Sequence, residues 1–143
     1  MKVIVAPRIY IASKFASRKR LIPIRQQLQI HGFVVLSTWM IDDPDSSADI
    51  DSLGNDLEES ARLAMRDYQE IISCHLFVID TTDDSSTGGR EVELGYAQAL
   101  HKPSFRVGPI RNVFHALITG FPSWTILIEH LINVYSIKEL PKT

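Results

Sequence analysis

Apolar positions along the chain fall into two periods that alternate. The stretch "RIYIAS", residues 8–13, is β-branched and aromatic and predicts a first strand. From Ser17 to His31, Leu21, Ile24, Leu28 and Ile30 recur at roughly helical spacing, and Gly32 supplies a C-terminal stop. Pro23 fits that helix only if it lies in the first turn. The short apolar run "FVVLS", residues 33–37, predicts a buried second strand. Asp42 to Asn55 is polar and turn-rich and reads as a loop, a candidate lid. Asp56 to Ser73 predicts a helix with Leu57, Ala61, Ala64, Met65, Tyr68, Ile71 and Ile72 on or near one face. Then come a third strand over 75–80, a loop over 81–88, a helix over 89–101 and a fourth strand over 104–108. A short helix is expected near Asn112 and a final one over about 123–134.

Short apolar strands between amphipathic helices predict a doubly wound α/β fold, Rossmann-like or flavodoxin-like, with a mostly parallel sheet of four to five strands flanked by helices. The length of 143 residues fits one domain over 1–143. Ligands of such sheets bind beyond the C-terminal strand ends, at the switch point. That rule gathers Tyr10 to Phe15, Thr81 to Glu93 and Gly108 to Asn112 on one edge.

Composition removes several classes. A net charge of −2 gives no electrostatic case for nucleic-acid or anionic-membrane partners. No apolar run approaches the roughly 18 residues of a membrane span. The apolar N-terminal stretch carries no signal-peptide cleavage pattern. Cys74 is the single cysteine, so an internal disulfide framework is excluded; it reads as a buried helix-end residue, and a cytoplasmic, reducing compartment fits. His31, His75, His101, His115 and His130 form no metal-ligand spacing, and His115 reads as a core or surface residue, with a ligand contact as the alternative. There is no Walker A motif, and "GGREVELG" follows the third strand and is not G-x-G-x-x-G. No cofactor and no metal are expected.

The candidate chemistry lies in "STGGREVELGYA", Ser86 to Ala97. On a helix, residues 91 and 93 point about 200° apart, so Glu91 and Glu93 cannot share one role. Leu94, Ala97 and Leu100 form the expected core stripe. Glu91 points towards solvent or a neighbouring subunit, whereas Glu93 sits beside the stripe. Both fit first-turn acids favoured by the helix dipole. A carboxylate among apolar neighbours also needs a reason, and Glu93 is then a candidate for chemistry.

A set of ordered motifs runs through nearly the whole chain: "RIYIAS", "HGFVVLSTWM", "RDYQEI", "LFVIDTT", "GGREVELGYAQALHKP", "VGPIRNVFH" and "FPSW". With these, the chain resembles the nucleoside 2-deoxyribosyltransferase family in its broad sense, which includes the nucleoside 5′-monophosphate N-glycosidases. The resemblance implies cleavage at an N-glycosidic bond through a covalent glycosyl-carboxylate, by retaining double displacement. It implies Glu93 as the nucleophile, Tyr10 as the residue that holds it, and Asp67 as the group that orients the sugar or handles a proton at the leaving base. A helix N-terminus is expected to keep Glu93 ionised and the tyrosine hydroxyl to fix its direction. The segment "TTDDSSTGG", with Thr87, Gly88 and Gly89, is implied to wrap base or sugar. Asn112 is similar to a family asparagine that reaches a neighbouring subunit's site and touches the sugar 5′ end, which implies a substrate contact and a homo-oligomer with shared sites. Ser13, Lys14, Arg18, Arg106 and Arg111 are candidates for a 5′-phosphate, each also readable as a surface charge or cap.

Three departures from the family pattern stand out, of which His75, in place of a common Asp, and His101 read as structural and Thr87 bears on the reaction. Thr87 stands six residues before Glu93, where classical transferases carry an Asp and the N-glycosidases a small hydroxyl residue. His101 stands where "GKP" is usual at the helix end. The implied activity is deoxyribosyl transfer between nucleobases. Hydrolysis of a nucleoside 5′-monophosphate and a non-catalytic nucleotide-binding module on the same fold are the alternatives. In each case the partner is a small-molecule nucleoside or nucleotide.

Overall fold

The structure is a computed structural model and describes residues 6–42, 57–84 and 88–135. In chain order the elements are β1 (Arg8–Ala12), α1 (Arg18–Ile30), β2 (Val34–Val35), α2 (Trp39–Asp42), α3 (Leu57–Ser73), β3 (Leu76–Asp80), α4 (Gly89–Ala99), β4 (Ser104–Val107), β5 (Thr119–Phe121) and α5 (Trp124–Tyr135). Two 3-10 turns, Phe15–Ser17 and Val113–Leu117, sit in the connections.

The strands form one five-stranded sheet in the order β2-β1-β3-β4-β5, every pair parallel. This is the expected doubly wound α/β fold, with its switch point between β1 and β3. Every residue of β3 and all but Arg8 of β1 are buried. Continuous apolar strands of this kind belong to a parallel sheet covered on both faces. Tyr10 and Phe77, paired in register, stack their rings at 5.8 Å. Three residues along β3, on the opposite face, the buried Asp80 carboxylate accepts from Arg20 of α1 at 3.1 Å and from the Trp124 indole of α5 at 2.6 Å. One carboxylate thereby ties both helices to the central strand. Cys74 is buried just after α3, as expected.

Several expectations need correction. α1 begins at Arg18, so Pro23 lies in its second turn rather than its first. Both Pro23 and Lys19, whose carbonyl the proline cannot bond, are exposed to solvent. β2 is only two residues long. On α3 the face turned to the core carries Leu63 and Ile71, whereas Leu57, Met65 and Ile72 are exposed. Leu100 lies beyond the end of α4 and is also exposed, leaving Leu94 and Ala97 as the buried stripe. Asp42 ends α2, and the rest of the expected 42–55 loop lies outside the described residues.

Candidate active site

Gly88 precedes α4 in the left-handed region, at φ 78°, which explains a glycine there. A Cβ added at Gly88 or Gly89 would meet nothing within 4 Å among the described residues. With Gly89 as the first helical residue, Glu91 is the first-turn acid. Glu93 falls two residues later, in the second turn, where the dipole's help has faded. The expectation that the helix keeps Glu93 ionised is therefore not met. Burial, then the neighbouring charge of Asp67, push its carboxyl up to about 8, and the hydrogen bond from Tyr10 only partly opposes them.

That hydrogen bond runs from the Tyr10 hydroxyl to Glu93 Oε2. Tyr10 is fully buried at the centre of β1. Burial and the charges of Glu93 and Asp67 hold its hydroxyl well above the usual range, so it stays a donor. Asp67 lies on α3, which packs against both α4 and β1. Its carboxylate accepts from Arg66 at 2.7 Å, and Arg66 is the cation that offsets the cluster. The structure thus brings Tyr10, Glu93 and Asp67 together from three elements.

A third carboxylate, Glu70, escaped the sequence reading. It sits one turn after Asp67 on α3, and its charge acts on both Tyr10 and Glu93. Its Oε2 accepts from the Thr38 hydroxyl at 2.7 Å and its Oε1 from the Thr38 amide at 3.3 Å. Burial raises its carboxyl against those bonds. The i, i+3 spacing of Asp67 and Glu70 was the available signal.

Glu91 does not point to solvent. Its Oε1 accepts from Arg90 at 2.8 Å and lies 3.0 Å from His115 Nε2. His115 is fully buried, and its Nδ1 accepts from the Arg111 amide, which leaves Nε2–H to face Glu91. Burial works against the Glu91 charge, but Arg90 and His115 outweigh it and hold the carboxyl below its usual range. Burial lowers His115 against the pull of Glu91. Asn112 belongs to the same group. Its side chain caps the following 3-10 turn and donates to Glu91 at 3.4 Å, away from Glu93.

Ser13, at the end of β1, has a buried hydroxyl oxygen with no hydrogen-bond partner among the described residues. Thr87 lies outside the described residues. Arg18 stacks over the Phe15 ring at 4.5 Å. Arg106 donates to the carbonyls of Gly108 and His115, and Arg111 to those of Thr81 and Thr82 and to Asp84. Both arginines thus brace their own chain. Gly108, at φ 110°, lies so close to β3 that a Cβ would sit 2.8 Å from Thr81 Oγ1 and from the Thr82 nitrogen. Among the described residues no group of three or more His, Cys, Asp or Glu is arranged to hold a metal ion.

No protein-family model matches the chain, and no curated protein matches it in sequence. Among solved structures it is similar to a 2-deoxyribosyltransferase from Bacillus psychrosaccharolyticus. The identity is 20% and the TM-score 0.62, over 94% of this chain and 99% of that one. It is also similar to a CMP N-glycosidase from Clostridium botulinum, at 16% identity and a TM-score of 0.56, over 87% of this chain and 97% of that one. The chain has the fold of these two enzymes. No described helix is long and apolar enough to cross a membrane.

Proposed function

We propose that the chain cleaves the N-glycosidic bond of a 2′-deoxynucleoside and transfers the deoxyribosyl group to another nucleobase. The observation that carries this reading is the hydrogen bond from Tyr10 to the half-buried Glu93 carboxyl, with Asp67 beside it. In the first step a Glu93 oxygen bonds to the anomeric carbon as the carbon–nitrogen bond to the base breaks. The base leaves with that electron pair and takes up a proton from solvent, which Asp67 is placed to relay. In the second step a nitrogen of the incoming base attacks the same carbon and Glu93 departs as a carboxylate, so configuration is retained.

Glu93 must lose its proton before it attacks, and with a carboxyl pushed up to about 8 the ionised form grows in as pH rises towards 8. Tyr10 gives that charge a fixed donor. Ser13, Gly88, Gly89 and Thr87 complete the substrate-binding set of this reading. The Ser13 hydroxyl, without a hydrogen-bond partner among the described residues, supports it. A homo-oligomer with shared sites is part of the same reading. Ile110, Val113 and Phe114 are all exposed around Asn112, an apolar surface suited to a second copy.

Hydrolysis of a nucleoside 5′-monophosphate is the second reading, favoured by Thr87 in place of the transferase Asp. Water then takes the role of the incoming base. The test is a panel of the four 2′-deoxynucleosides and their 5′-monophosphates, with and without a free acceptor base, followed by chromatography. Release of free base only when an acceptor is present supports transfer; release without one supports hydrolysis. Full activity in Glu93→Ala removes the nucleophile assignment. Tight binding without turnover replaces both readings with a non-catalytic nucleotide-binding module.

A further inference from the structure

The connection between β2 and α2 is fastened to the end of β1 at two points. The Ser37 hydroxyl oxygen accepts from the Ile11 amide at 3.0 Å, and the Trp39 indole donates to the Ile11 carbonyl at 2.8 Å. Ile11 directly follows Tyr10, so these bonds bring residues 37–39 to the switch-point edge beside the Tyr10–Glu93 pair. Thr38, between the two fastened residues, turns the other way and is gripped through both its amide and its hydroxyl by Glu70 of α3. A carboxylate that receives one neutral residue through two donors holds that residue's backbone and side chain at once. Nothing in the core requires a charge there, since Leu63 and Ile71 already bury the sheet-facing side of α3.

We propose that Glu70 is a positioning residue of this site: through Thr38 it locks the 37–39 connection and α3 into one wall beside the Tyr10–Glu93 pair. The role rests on the proposed glycosyl chemistry. It works in two ways that substitutions separate. The first is mechanical and runs through the Thr38 contacts. The second is electrostatic: Glu70 and Asp67 from α3 add negative charge beside Glu93, Arg66 from α3 offsets it, and Tyr10 from β1 donates to the carboxyl.

Steady-state kinetics on whichever member of the nucleoside and nucleotide panel the wild-type protein cleaves best tests this. Glu70→Ala and Thr38→Val are each expected to lower kcat/KM about tenfold, and the double variant to fall no further than the worse single one. Glu70→Gln keeps an acceptor for Thr38 and loses the charge. It is expected to recover most of the kcat/KM lost in Glu70→Ala, and to move the acidic limb of the pH profile to lower pH, because one charge that holds Glu93 protonated is gone. Thr38→Val is expected to leave that limb in place. Wild-type kcat/KM in Thr38→Val, or strictly additive losses in the double variant, overturns the positioning role while leaving the reaction intact. A wild-type protein that cleaves no member of the panel removes the reaction itself and this role with it.

Discussion

Glu91 and Glu93 leave the same helix two residues apart and enter opposite surroundings. On one side, Glu91 meets a buried guanidinium, a buried imidazole and an amide, all through Oε1, which matches its charge, while Oε2 is buried with no hydrogen-bond partner among the described residues. On the other, Glu93 meets a phenol and the charges of Asp67 and Glu70, with Arg66 as the offsetting cation. Burial is common to both carboxyls; the partners decide the direction, down for Glu91 and up for Glu93. A matched carboxylate steadies a fold, and an unmatched one is held ready to exchange its proton.

The largest expected effect is on the unmatched side. Glu93→Gln should lower turnover about a thousandfold or more, read as free base released per unit time, while the protein stays folded. Tyr10→Phe keeps the ring stacked on Phe77 and removes only the hydroxyl. It should lower kcat about ten- to a hundredfold. It should also move the acidic limb to higher pH, since the bond that favours the ionised carboxyl is lost.

On the matched side the expected effect is on stability. Glu91→Gln leaves the Arg90 guanidinium buried without its counter-charge, and urea unfolding at pH 7 should show a loss of about 2–3 kcal/mol. The two sides should also slope oppositely with pH. The Glu93 carboxyl, raised in the folded state, contributes stability below its usual value of 4.5 that is lost as pH rises through about 8. Thermal unfolding of Glu93→Gln should therefore be flatter than wild type across that window. The Glu91 carboxyl is lowered, so its contribution is present above 4.5 and fades as the medium becomes more acid. The deficit of Glu91→Gln should shrink there. The smallest effect is a control at the far end of the helix connection. His101 holds φ 59°, and His101→Gly should raise stability by about 0.5 kcal/mol and alter neither slope.

The fold was legible because β1 and β3 are dense apolar runs and the helices between them are punctuated by glycines. β5 was not singled out, because "TGF" is three residues at a sheet edge with two of them exposed. At its Gly120 the Arg106 guanidinium lies over the backbone, a contact no local pattern reveals. In the site, the switch-point rule put the segments of Tyr10 and Glu93 on one edge, and their pairing was what the family resemblance implied. The surroundings of Glu91 were not legible, because His115 arrives from another connection and carries no spacing signal. The helix start at Gly89 agrees with the sequence reading; what that reading missed is that Glu93, the fifth residue from the start, already lies in the second turn.

The near-contact of Gly108 with Thr81 and Thr82 has a mechanical consequence. The backbones leaving β3 and β4 touch there without a side chain between them, and Arg111 crosses from one to bind the carbonyls of the other. The two crossings are thereby riveted to each other, so a displacement of one is carried directly to the other.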